Sequence, residues 1–216
     1  MKQILIIGLG RFGLHIAKKL QEMHIQVLGV DSNEERVKVA LPHVTNAEIG
    51  DATNQKFLGS LGVANFDVCI VAIGNDFLAS LETTSYLKEL GAKKVVARAA
   101  RDLEENFLLR NGADAVVYPE KSMGNLTAIQ WSSENVLDYI QVSKDFAVFE
   151  IELPKDWAGK SIGEIDVRKK FKVNIIAVKN SDQVNVSLDS DYRFSEGESL
   201  YIIGKDKDIQ RYFHTL

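Results

Sequence analysis

The sequence predicts an α/β protein: a doubly wound parallel sheet, then a crossover helix and a small α+β domain. Three observations carry that expectation. Apolar runs too continuous for one-sided strands alternate with helical periodicity over residues 1–118. A glycine-rich turn, Gly8-Leu9-Gly10-Arg11-Phe12-Gly13, stands between the first run and the first helix. After Pro119 the rhythm changes, and from Asp145 onward the alternation becomes period two.

Gln3–Ile7 is a continuous apolar run stopped by Gly8, as expected of a central parallel strand covered on both faces. Leu14, Ala17 and Leu20 recur at helical spacing, with Lys18, Lys19 and Glu22 outward. Gln26–Val30 reads as the second strand and ends at Asp31. Asn33–Ala40 reads as a short helix that Pro42 stops. Val44–Ile49 is a weaker third strand, and Gly50-Asp51-Ala52-Thr53 leads into a helix ending near Leu61. Asp67–Ile73 is the strongest strand pattern, and Asp76 is placed to cap a helix that runs to Leu90 and ends at Gly91. Lys94–Arg98 and Ala115–Tyr118 flank a helix over Asp102–Arg110. Six strands alternating with helices make the doubly wound, Rossmann-like reading.

Beyond Pro119, Met123–Trp131 and Glu134–Ile140 both read as helical and form a crossover. Phe149, Ile151 and Leu153 then alternate with Glu150 and Glu152, and Val184, Val186 and Leu188 alternate about Asn185 and Ser187. Ser161–Phe171 reads as a short helix, and Val173–Lys179 and Ser199–Ile203 as strands. A last helix places Ile209, Tyr212 and Phe213 on one face. The expected organisation is an N-terminal domain over 1–118, a crossover over 119–143 and a C-terminal α+β domain over 144–216. The last is small enough to need a partner surface.

The chain has 216 residues, 45% apolar and 26% charged, the composition of an ordinary globular protein. Its 26 basic residues against 30 acidic ones give a net charge of -4, which argues against a nucleic-acid partner. Val68–Ile73, the longest strongly apolar stretch, falls far below the roughly 20 residues a membrane-spanning helix needs. Lys2 leads straight into a strand-like run without a small-residue cleavage site, unlike a signal peptide. The lone Cys69 sits in an apolar run and reads as core in a reducing compartment. These features point to the cytoplasm, with any membrane role exercised through a partner.

The glycine turn has the form that cradles a phosphate. Gly8 permits the tight turn, Gly10 lets the backbone approach the anion, and Gly13 lets the helix pack on the strand. Asp31, ending the next strand, is placed to accept from a ribose diol and disfavours a 2′-phosphate. Arg11, beside Phe12 at the helix entrance, can reach the outer oxygens of a phosphate chain; the alternative is a solvated surface arginine. A terminal phosphate of that kind belongs to ATP and not to a dinucleotide. Asp51, with Ala52 and Thr53, either accepts from an exocyclic amine or caps the helix starting near Asn54. Ala72, Ile73 and Gly74 can wall the ribose or base. Arg98, at the end of the fifth strand, is either a second phosphate contact or an edge charge. His15, His24, His43 and His214 show no metal-ligand spacing and no nearby nucleophile. A nucleotide site without catalytic groups reads as a sensor.

The ordered set Gly8–Gly13, Asp31, Gly50–Thr53, Val71–Gly74 and Pro119–Gly124, with the change of rhythm after Asn135–Tyr139, resembles the RCK (KTN) proteins. Within them it is similar to the KtrA-like regulatory subunits of Ktr/Trk-type potassium uptake systems, over essentially the whole chain. The resemblance implies an N-terminal domain that binds ATP or ADP. It also implies dimers assembling into an octameric ring beneath a membrane-embedded potassium-translocating subunit. By that resemblance Arg11 senses the terminal phosphate, and Glu120 helps hold a divalent cation such as magnesium near the phosphates. Read from sequence alone, Glu120 is also a helix N-terminal acid favoured by the dipole. Arg98 stands where some relatives have lysine. The resemblance further implies a cyclic di-AMP site in the C-terminal domain, with Arg168 on phosphate, Asn174 on an adenine edge, and Ile162, Asp166 and Ile175 shaping the pocket. Lys172 stands where relatives often carry glycine, and the plainer reading of this segment is an amphipathic helix with a solvated basic end.

Two other classes share the fold. An NAD-dependent oxidoreductase would need an acid, a base and a substrate pocket that the sequence does not supply. An NAD(H)-sensing transcriptional regulator would need a basic recognition helix. ATP or ADP therefore stands ahead of NAD or NADH as the expected ligand.

Overall fold

The computed structural model describes residues 2–131 and 135–213. The chain divides into two compact units between Lys121 and Ser122. In the first, β1 (Gln3–Ile7), β2 (Gln26–Asp31), β3 (Asn46–Ile49), β4 (Val68–Val71), β5 (Val95–Arg98) and β6 (Ala115–Val117) form one parallel sheet. The strand order is β3-β2-β1-β4-β5-β6. The connecting helices are α1 (Arg11–Glu22), α2 (Glu34–Ala40), α3 (Gln55–Ser60), α4 (Phe77–Glu89) and α5 (Asp102–Arg110), and α6 (Pro119–Trp131) follows β6. Leu5 and Ile7 of β1 enter one core cluster while Ile4 and Ile6 enter another. That burial on both faces is why the strand reads as an unbroken apolar run. Asn33, Asn54 and Asp76 cap α2, α3 and α4 by accepting from the N–H groups of Arg36, Phe57 and Ala79.

In the second unit β7 (Val136–Gln141), β8 (Phe146–Glu152), β9 (Asn174–Asn180), β10 (Gln183–Asn185) and β11 (Ser199–Lys205) form an antiparallel sheet, ordered β10-β9-β11-β8-β7. Helices α7 (Ile162–Ile165), α8 (Val167–Phe171) and α9 (Asp206–Phe213) complete it. Phe149, Ile151, Trp157, Phe194, Leu200 and Ile202 build its core.

Four expectations are corrected. Glu134 lies outside the described residues, but residues 136–140 of the expected helix belong to the strand β7, so among the described residues the crossover holds one helix and a strand. A register shift between Val136 and Asp138 breaks the period-two pattern, leaving Val136 and Tyr139 buried while Leu137 and Ile140 are exposed. That spacing mimics a helical face. Ser161–Phe171 is two helices and not one, because Asp166 turns left-handed at φ 54° between them. The alternation over Val184–Leu188 yields only the short edge strand β10; Val186 is exposed, and the Asn185 side chain accepts from the Ser187 N–H to turn the chain. The fourth strand stops at Val71, not Ile73, and the segment it releases lines the site described below. On α9, Ile209 is buried and Tyr212 packs edge-on against Phe171 at 5.4 Å. The Phe213 side chain and His214 lie outside what is described.

Candidate functional site

The strand order reverses between β1 and β4, and a crevice at the carboxyl ends of strands is where doubly wound sheets bind ligands. Here that crevice is a cleft of about 1050 Å³. Its lining gathers Gly8, Gly10, Arg11, Phe12, Asp31, Asp51, Ala52, Thr53, Ala72, Ile73, Gly74, Arg98 and Glu120 from six separate segments of the chain. Gly13 is buried behind the lining.

Three glycines act differently. Gly8 has φ +96°, a left-handed conformation open to glycine, and its N–H donates to the Val30 carbonyl at 2.7 Å. A Cβ on Gly13 would stand 1.9 Å from the Gly8 carbonyl oxygen, so this glycine lets α1 sit against the turn. A Cβ on Gly10 would meet nothing within 4 Å: the backbone there faces open space. Gly10 is the N-cap of α1 without a side-chain cap, and the first turn carries no acid. The first N–H groups of that helix are thus left for an anion.

Asp31 is buried and ties the turn together. Its Oδ2 accepts from the Leu9 N–H at 2.7 Å and its Oδ1 from the Asn33 N–H at 2.8 Å. The Arg36 guanidinium lies 3.6 Å from Oδ2. Asp51 does not cap α3; Asn54 does. The Asp51 Oδ1 instead accepts from the Thr53 hydroxyl and N–H at 2.7 and 2.9 Å, and those two bonds hold its carboxyl below the usual range. On the opposite rim Arg98 is ion-paired with Glu120. Its guanidinium carbon lies 5.5 Å from the Phe12 ring centroid, and its buried Nε has no hydrogen-bond partner among the described residues. Gly74 makes room for this: a Cβ there would lie 2.0 Å from an Arg98 terminal nitrogen. Of the three arginines in the cleft, Arg11 is the one with no ion-pair partner among the described residues.

The lining also contains His15, Ser32, Arg36, Asn75 and Asp76, which the sequence reading passed over as site residues. His15 lies one helical turn after Arg11 on the same face, a spacing that was legible. Arg36 becomes visible only once the Asp31–Asn33 turn folds α2 back beside the carboxylate. Cys69 is fully buried, and burial pushes its thiol up to about 12, so it is core and not thiolate.

Among the described residues no three His, Cys, Asp or Glu side chains cluster to hold a metal. Glu120 is a single exposed carboxylate. That fits a magnesium-type ion, which is commonly held by one or two carboxylates with phosphate oxygens as further ligands, and does not fit an all-protein cage.

In the second unit Arg168 Nε donates to Asn174 Oδ1 at 2.6 Å, joining α8 to the start of β9. Asp166 turns left-handed and pairs with Lys169 at 3.5 Å. Ile162 and Ile175 pack on the edge of the second core.

The TrkA-N domain family matches residues 4–119 and the TrkA-C domain family residues 147–216. Two relatives from Bacillus subtilis (strain 168) run nearly end to end with this chain. Ktr system potassium uptake protein C is 38% identical over 98% of this chain and 96% of its own length. Ktr system potassium uptake protein A is 39% identical over 98% and 95%. Among solved structures, a GsuK channel bound to NAD superposes with a TM-score of 0.67 at 19% identity, covering 96% of this chain and 38% of that one. This likeness is one of fold. A GsuK channel structure at 28% identity has a TM-score of 0.54 and covers 99% of this chain and 38% of that one. This chain thus spans about two fifths of the channel chains it matches.

A doubly wound parallel-sheet unit followed by a small antiparallel-sheet unit is the two-domain arrangement that the two matched families cover in this chain. The chain belongs to the TrkA-N/TrkA-C family, together with the Ktr system potassium uptake proteins.

Proposed function

We propose that the chain is a cytoplasmic, nucleotide-sensing gating subunit that regulates potassium uptake through a membrane-embedded translocating partner, switched by ATP and ADP. The observation that carries this reading is the uncapped first turn of α1 with Arg11 beside it, which has no ion-pair partner among the described residues. The phosphates lie on the α1 amides with Arg11 on the terminal one, the ribose sits by Asp31, and the base lies near Asp51–Thr53 and Ala72–Gly74. Glu120 supplies the protein ligand to a divalent cation, which would neutralise phosphate charge. The near end-to-end match to the Ktr proteins supports the potassium-uptake role. No helix among the described residues is long and apolar enough to cross a membrane.

Assembly into homodimers and an octameric ring is supported by exposed apolar side chains on α4 and α5, namely Leu78, Leu103, Phe107 and Leu109. The ring also sets the energetics. Taking a two-state ring from mostly closed to mostly open needs about 5.5 kcal/mol of differential binding, or less than about 1 kcal/mol per site over eight sites. One charge-assisted contact between Arg11 and a terminal phosphate is of that order. Cyclic di-AMP at Ile162, Asp166, Arg168, Asn174 and Ile175 biases the same equilibrium toward the inactive transporter; the Arg168–Asn174 hydrogen bond, which brings a cation beside an amide, supports that placement.

The test is equilibrium binding of ATP, ADP, NAD and NADH to the wild type and Arg11→Ala, with and without magnesium. The reading expects tight binding of adenosine phosphates and a larger loss for ATP than for ADP in the variant. Equal losses would remove Arg11 from the sensing role, and preference for NADH would make the protein a redox sensor.

A further inference from the structure

We infer that the C-terminal unit carries a second anion site that takes the phosphate groups of a small ligand. A cleft of about 550 Å³ is lined by Phe146, Lys172, Lys205, Lys207, Asp208 and Arg211. Three parts of the fold converge there. Lys205 at the end of β11 pairs across the ladder with Phe146 at the start of β8. Lys172 follows directly on α8, and α9 contributes Lys207, Asp208 and Arg211, with Lys207 and Arg211 one helical turn apart. Arg168 and Asn174 are not in this lining, so it is separate from the cyclic dinucleotide placement above.

The charge of this cleft runs against that of the chain. The protein has more acids than bases, yet four cations meet a single carboxylate, Asp208, here. None of the four cations is ion-paired among the described residues, whereas Lys169, Lys179 and Arg193 of the same unit all are. Unpaired cations converging on one concavity repel one another and are relieved by an anion.

Lys172 adds an independent sign. Its backbone is left-handed, at φ 59° and ψ 28°, where glycine is the unstrained choice. The chain holds a long cation at that point with no internal ion pair to compensate, a pattern of strain associated with binding positions. Phe146 gives the cleft an exposed apolar wall, with the Lys205 ammonium 5.9 Å from its ring centroid. A multiply charged phosphoanion on a small body suits four cations and one flat apolar side.

The experiment is calorimetric titration of the full chain with inorganic pyrophosphate. A Lys205→Gln, Lys207→Gln, Arg211→Gln triple variant is expected to weaken binding about tenfold or more, and Lys172→Gly about threefold. Lys172→Gly relieves the left-handed strain, so a loss of binding with an undiminished melting temperature is not a loss of folding. Arg11→Ala is expected to weaken only pyrophosphate bound in the nucleotide cleft and to leave intact the event that the triple variant weakens; if every binding event follows Arg11, the site is overturned. Vesicle flotation separates the sources of phosphate. Association with phosphatidylglycerol vesicles but not phosphatidylcholine vesicles, lost in the triple variant and competed by pyrophosphate, identifies a lipid headgroup. Pyrophosphate binding without vesicle association identifies a free phosphate compound. Absence of pyrophosphate binding, or binding unchanged in both cleft variants, overturns the inference.

Discussion

Arg98 and Glu120 close on one another at the rim of the cleft, joining the end of β5 to the first turn of α6. The pair is neutral as it stands, and each member has a better partner in a nucleotide–cation complex: phosphate for the guanidinium, the cation for the carboxylate. Arg98 also keeps a buried Nε–H without an acceptor among the described residues, ready for an anion. Nucleotide and cation should therefore bind cooperatively, each releasing the residue that the other needs. Glu120→Gln is expected to abolish most of the gain in ATP affinity that magnesium gives, on the order of tenfold, while cation-free ATP binding strengthens because Arg98 loses its counter-charge and is free for phosphate. ATP titrations of both proteins across magnesium concentrations check this, and an undiminished magnesium effect in the variant would remove Glu120 from the cation site.

Gly10 and Gly13 belong to one motif but should fail differently. A Cβ on Gly13 would overlap the Gly8 carbonyl, so Gly13→Ala should cost about 2 kcal/mol or more of stability. Gly10→Ala puts a methyl into open space and should leave the melting temperature within a degree or two of wild type while weakening ATP several-fold. Thermal unfolding paired with ATP titration separates the two. Full ATP affinity in folded Gly10→Ala would mean that the phosphates do not lie on this turn.

The contrast shows what the sequence could and could not reveal. The sheet was legible because β1 is buried on both faces and each parallel strand carries its own apolar run. The glycines and Asp31 were legible because their spacing is set by one strand, one turn and one helix. Glu120 could be placed only by resemblance, since the ion pair with Arg98 is made by chain folding and not by spacing. Arg36 was missed for the same reason. The strand β7 was misread because one extra residue at its bulge converts a period of two into the spacing of a helix. The helix break at Asp166 was missed because a left-handed residue inside an otherwise helical stretch leaves the pattern on either side intact.

Asp31 holds the glycine turn as well as facing the proposed ribose position. Its two oxygens accept from the Leu9 and Asn33 N–H groups, so removing them strands two backbone donors. Asp31→Ala is expected to destabilise the protein by about 2–4 kcal/mol, from about 1–3 kcal/mol for each donor with partial rescue by water. Asp31→Asn keeps one acceptor oxygen and should recover about half of that loss. Denaturant unfolding of the three proteins without nucleotide checks the order wild type, Asn, Ala. Equal stability would mean that the carboxylate serves the ligand alone.

Glu150 is a buried acid of the second unit, accepting from the hydroxyls of Ser199 and Tyr201 at 2.7 and 2.6 Å and from the Lys179 ammonium at 3.0 Å. Burial pushes its carboxyl up, but the Tyr201, Ser199 and Lys179 hydrogen bonds together outweigh it and hold the group below the ordinary value of 4.5. A carboxyl depressed in the folded state binds its proton more readily when unfolded. Its contribution is therefore fully present above the unfolded value and is lost as the pH falls below 4.5 through the folded one. Glu150→Gln leaves Lys179 without its counter-charge and turns an amide toward donors, at an expected cost of about 2 kcal/mol near neutral pH. That difference between wild type and variant should hold from pH 7 down to about pH 5 and shrink below it. Urea unfolding midpoints followed by circular dichroism over that range measure it, and a difference that stays constant to pH 3 would show that Glu150 contributes through packing and not through charge.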